Sequence, residues 1–87
     1  MMSADEMTAR AMLAQQNYTD AFMRKRHVMG IAVGIGQRGG MPTGIFCLVV
    51  LVDEKVPLDV LDPVDWLPED VDGVEVDVQE IGHVVAQ

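Results

Sequence analysis

One serine, one cysteine and two histidines in 87 residues leave little material for catalysis. Ser3 opens a helix-capping pattern, so no Ser-His-Asp triad can be assembled from it. Cys47 has no intrachain disulfide partner, and it sits inside the apolar run IFCLVVLV, the setting of a structural thiol. A Cys47–His27 dyad would need a thiolate on an apolar strand, where the charge is unfavourable. The two histidines, His27 and His83, lie far apart in sequence, and EDVDGVEVD lacks the ligand spacing of a calcium loop. No catalytic residue, cofactor or metal is therefore expected. Long apolar runs are also missing: Ile45–Val52 is far too short to cross a bilayer as a helix. The start, MMSADEM, is acidic where a secretory signal is basic, so a soluble cytoplasmic protein without a membrane partner is expected.

Cations are scarce where acids are dense. The net charge is −8, and residues 53–87 carry eleven acids against Lys55 alone. Nucleic acid would be repelled. The short cluster Arg24–His27 reads as a helix C-terminus, where cations complement unpaired carbonyls. A chain this short buries only about 60–65% of its unfolded surface, and such domains draw extra stability from disulfides, metals or association. With the first two removed, a homo-oligomer is expected.

The elements follow from capping and periodicity. SADE at residues 3–6 is a capping box, and a helix runs from it to about Arg24 or Lys25, within a helical unit of 1–26. Its apolar stripe is Met7, Ala11, Ala14, Tyr18, Ala21 and Phe22, widened by Met12, Leu13 and Met23. From His27 to Gln37 the pattern alternates, with Met29, Ile31, Val33 and Ile35 opposite Gly30, Ala32, Gly34 and Gly36. The bare face is expected to receive the Ala-rich helix. Thr43–Val52 is apolar without alternation, so both faces should be covered, one by the helix and the other by another subunit or the following segment. Pro57, Pro63 and Pro68 keep the next segment irregular, with Trp66 and Leu67 anchoring it to the core. After the Asp72-Gly73 turn signal, VEVDVQEI forms a strand with its valines inward and Glu75, Asp77 and Gln79 outward. The expectation is one α+β domain over 1–87: an N-terminal helix packed on a small, mainly antiparallel sheet of three to four strands. Residues 27–82 hold the hairpin, the proline-rich crossing and the third strand, and 83–87 form a tail. The partner of the third strand stays open.

GIGQRG places Gly34, Gly36 and Gly39 in the G-x-G-x-x-G spacing of dinucleotide sites. Such a site needs a helix directly after the glycines, to hold the pyrophosphate at its N-terminus. Here Gly-Met-Pro-Thr-Gly and a β-branched run follow, so the glycines read as a hairpin connection. A weak anion loop built from Gly36, Arg38, Gly39 and Gly40 is the alternative.

VMGIAVGIG, the glycine turn, LVVLVDEKVPLDVL and LPEDVDGVEVDVQEIG, in that order over residues 27–82, together resemble a known arrangement. It is a small domain found upstream of trypsin-like serine protease domains in bacterial and plant narrow-leaf-type proteins. That family's catalytic residues belong to the protease domain, which has no counterpart in these 87 residues, so none carries over. The resemblance implies a non-catalytic accessory or assembly module. The residues point the same way, toward a non-enzymatic interaction and self-assembly module whose interface holds Met12, Met23, Phe46, Leu48 and Trp66. Two other readings are an anion or nucleotide binder using the glycine loop, and an acidic decoy or inhibitor of a basic partner.

Overall fold

The computed structural model describes residues 3–81, and the expected tail 83–87 lies outside them. Helix α1 spans Ala4–Met23. The Ser3 hydroxyl accepts from the Glu6 amide at 3.2 Å and sits 3.3 Å from the Glu6 carboxylate, to which it can donate. Asp5 and Glu6 in the first turn complement the helix dipole. The helix stops before the Arg24–His27 cluster, so these cations lie just beyond its last turn. His27 turns the chain in the left-handed region (φ 72°). Its Nδ1 lies 2.8 Å from Asp53 Oδ1, and its carbonyl accepts from the Asp53 amide, joining the corner to the end of the second strand.

The strands are β1 (Val28–Arg38), β2 (Met41–Val52), β3 (Asp70–Val71) and β4 (Val74–Glu80), in the order β1-β2-β4-β3. The pairs β1–β2 and β3–β4 are antiparallel, and β2–β4 is parallel. An α+β fold with one helix on a mixed four-stranded sheet results. The open pairing resolves in favour of the second strand, which the chain reaches by carrying residues 53–69 across as an irregular crossover. A single 3-10 turn, Pro63–Asp65, docks under the end of α1: Lys25 Nζ donates to the Val64 carbonyl at 2.7 Å, and the Arg26 amide to Asp65 Oδ1 at 3.0 Å. Asp72 (φ 51°) and Gly73 (φ 78°) make the tight turn between β3 and β4.

The core lies between α1 and one face of the sheet. Ala11, Ala14 and Phe22 meet Val28, Leu48, Val50, Val52, Val71, Val74 and Val76, with Tyr18, Ile31, Val33, Leu67 and Val78 at its margin. Ala21 is exposed, so it falls outside the buried stripe. Tyr18 donates its hydroxyl to Asp72 Oδ1 at 3.2 Å, and that carboxylate holds the phenol above its usual pKa.

The glycine face of β1 does not receive the helix, contrary to expectation. Ile31 and Val33 pack on the helix side, and the reason is volume: the small alanines of α1 need bulky partners, or a void would remain. The glycines turn to the opposite face, where a Cβ on Gly30, Gly34 or Gly36 would meet Leu51, Val49 or Cys47. Neither a subunit nor the proline-rich segment is needed to bury Cys47 and Val49 there. The end of the β1–β2 hairpin curls over that face instead. The pairing shifts register between Ile35 and Gln37, and Gly44 takes a positive φ of 76°. The Gln37 amide then reaches Asp77 Oδ2 at 3.0 Å, and Arg38 Nη2 reaches Glu75 Oε1 at 3.2 Å. The outward acids of β4 therefore hold the hairpin end and are half-buried.

Candidate functional site

The glycine motif forms a clasp. Gly39 (φ 59°) and Gly40 (φ 80°) turn the chain between the paired residues Arg38 and Met41, and a strand follows where a phosphate site requires a helix. Of the proposed anion loop, Gly36 is packed under Cys47, and Arg38 is engaged by Glu75. An incoming anion would have to compete with two carboxylates already holding the nearest donors.

Cys47 is fully buried, and burial, followed by the charges of Asp77 and Glu75, pushes its thiol up to about 11 from an ordinary 9.0. In the folded chain it should resist thiol reagents at pH 8 and react at once in denaturant, as a colorimetric thiol assay would show. The folded state keeps the proton up to about 11, whereas the unfolded thiol loses it near 9.0. This contribution to stability is intact below the lower value and is lost as pH rises through the upper one. Denaturation midpoints measured across that window should fall.

A cavity of about 210 Å³ opens beside the α1–β1 corner, floored by Val52, Leu58, Leu61 and Leu67. Its rim mixes Arg26 and Lys55 with Glu54 and Asp65, so it favours no single sign of charge. His27 lines it with Nδ1 engaged by Asp53. Among the described residues, no hydroxyl or thiol side chain lines it: Ser3 caps the far end of α1, and Cys47 lies on the opposite face of the sheet. Among the described residues, no group of three His, Cys, Asp or Glu is placed to hold a metal, and no helix is long and apolar enough to cross a membrane.

The five residues expected at an interface separate into three groups. Leu48 is 0% exposed in the core, so it offers no surface, and Phe46 is half-buried beside it on β2. The apolar run could not show this, because strand parity turns alternate members toward the helix. Trp66 is partly exposed, but its Nε1 donates to the Leu58 and Leu61 carbonyls and so closes the crossing loop on itself. Met12 and Met23 are open to solvent, at 52% and 44%.

These two methionines lie on the flank of α1 that borders the free edge of the sheet. Gln15 fixes that geometry: its Nε2 donates to the Ile31 carbonyl at 3.1 Å. Met12 and Thr19, three and four residues from Gln15, share its flank, and Met23 continues it one turn further. Strand β1 has β2 on one side and no strand on the other among the described residues. Its backbone is uncharged and proline-free from Val28 to Gln37. Met29 and Ile35, missed as interface candidates, are exposed along it. Ile35 was signalled by the alternation that defined β1, without its place at the edge; Met29 is exposed beside the register shift between Val28 and Gly30, which the alternation did not signal. No family model matches this chain, and no curated protein matches it.

Proposed function

We propose that this protein is a non-catalytic interaction module that associates with copies of itself. The observation that carries the reading is the edge of β1, unpaired among the described residues and bordered by the exposed side chains of Met12, Met23, Met29 and Ile35. Monomeric domains usually blunt such an edge with charge, proline or a covering segment. Here Gln15 donates to the Ile31 carbonyl, and residues 28–37 carry neither charge nor proline. An interaction role also agrees with the separate positions of Ser3, Cys47 and His27 among the described residues. The resemblance over residues 27–82 adds a partner class, a trypsin-like protease served by the assembled module.

Size-exclusion chromatography with light scattering at micromolar concentration tests self-association. The expected result is a mass above that of the 9.5 kDa chain. A monomer across the accessible concentration range would overturn the proposal.

A further inference from the structure

Resting on that reading, we infer that the partner of β1 is the β1 strand of a second copy, paired antiparallel across a two-fold axis to give one continuous eight-stranded sheet. An antiparallel edge is self-complementary, because rotating the strand by half a turn presents the same pattern of donors and acceptors to itself. The Gln15–Ile31 bond identifies the outward groups: if the Ile31 carbonyl points away from β2, those of Val33 and Ile35 do too, since amide and carbonyl directions alternate along a strand. No register shift intervenes between Ile31 and Ile35. A two-fold axis at Val33 therefore pairs Val33 with its equivalent and Ile31 with Ile35 of the other copy. Each pair exchanges two main-chain hydrogen bonds. Gln15 is no obstacle, since a carbonyl has two lone pairs and Ile31 can accept from both sources.

The side chains and charges agree with this geometry. Ile31 and Val33 pack on the helix side, and Ile35 follows them by strand alternation, so the two α1 helices come side by side over the junction with Met12 and Met23 between them. Methionine suits such a seam because its flexible thioether adapts to an irregular gap. Two chains of net charge −8 repel each other, and residues 28–37 of β1 bring no acid to the paired strands. At the strand ends, Arg38 is already engaged by Glu75 and His27 by Asp53.

Three proteins test the arrangement: wild type, Ile35→Pro and Val33→Cys. Proline at position 35 removes an outward amide from each copy and leaves the pairing with β2 intact, a substitution an edge strand tolerates. Losing these two hydrogen bonds should weaken association roughly thirtyfold. Val33→Cys should oxidise to a covalent dimer, because directly paired strand residues fall within disulfide reach. If Ile35→Pro fails to fold, Ile35→Lys replaces it, placing like charges on the seam. A wild-type dimer that persists unweakened in the folded Ile35 variant, or that does not cross-link through position 33, overturns the β1 pairing and leaves self-association standing. A monomeric wild type overturns both.

Discussion

Gly36→Ala should destabilise the domain by about 1–3 kcal/mol, and adding Cys47→Ala should recover much of that loss. A Cβ on Gly36 would stand 3.0 Å from Cys47 Sγ and 3.3 Å from Thr43 Oγ1. Neither neighbour can yield easily. Cys47 has no exposed surface, and Thr43 Oγ1 is tied to the Gly36 carbonyl at 3.2 Å while accepting from the Ile45 amide. The cost is steric, since Gly36 has no positive φ to strain. Cys47→Ala alone should cost about 1 kcal/mol through the lost packing of the sulfur. In the double variant the new methyl enters the space the sulfur left, so the two effects should fail to add by about 0.5–3 kcal/mol. Gly34→Ala is the control: its Cβ would meet Val49 at an ordinary 3.7 Å, and the change should be small. Urea midpoints at constant slope measure all four. Strict additivity of the pair would show that the hairpin does not close on Cys47 as described.

This contact marks the limit of what the pattern of residues conveys. The start of α1 was legible because capping is local: Ser3 and Glu6 interact across a single turn. The alternation of β1 from Gly30 to Ile35 was legible for the same reason, but not the register shift between Val28 and Gly30, which puts Val28 in the core and leaves Met29, expected beside Ile31, exposed. Which of its faces meets the helix was not, because alternation defines two faces without ranking them. Space beside Ala11 and Ala14 decided that, and space is a property of the assembled layers. The parallel pairing of β4 was equally hidden, since residues 53–69 are long enough to return the chain in either direction. Strand β3 has two residues, too few to carry a period, and the Asp72-Gly73 turn signalled only the strand that follows it. Of the candidate surface, Met12 and Met23 could be found from the breadth of the helix's apolar side. Met29 and Ile35 could not, because edge position depends on strand order.

Leu48→Ala should produce the largest loss of stability of any single truncation considered, about 2–5 kcal/mol. A domain of this size has a total stability of about 4–13 kcal/mol, so much of the fold's margin depends on this side chain. Leu48 is 0% exposed and is among the largest fully buried side chains. It lies on the inner strand β2, opposite Val33 of β1 on one side and Val76 of β4 on the other, beneath the alanines of α1. The hole left by truncation cannot close readily, because α1 is held through Gln15 and Ile31 and through Tyr18 and Asp72, and the corner after it through Lys25 and Val64. A poorly relaxing site places the cost toward the upper part of the range. The melting temperature should drop by roughly 10–30 °C. Association would confuse the measurement if it changed as well, so the truncation is best compared with its parent in the Ile35→Lys background at one protein concentration. There Leu48→Ala should lower the midpoint sharply, whereas Met12→Ala should leave it nearly unchanged and act only on association in the wild-type background. A Leu48→Ala loss below about 1 kcal/mol would be too small for a filled core site and would return Leu48 to the surface.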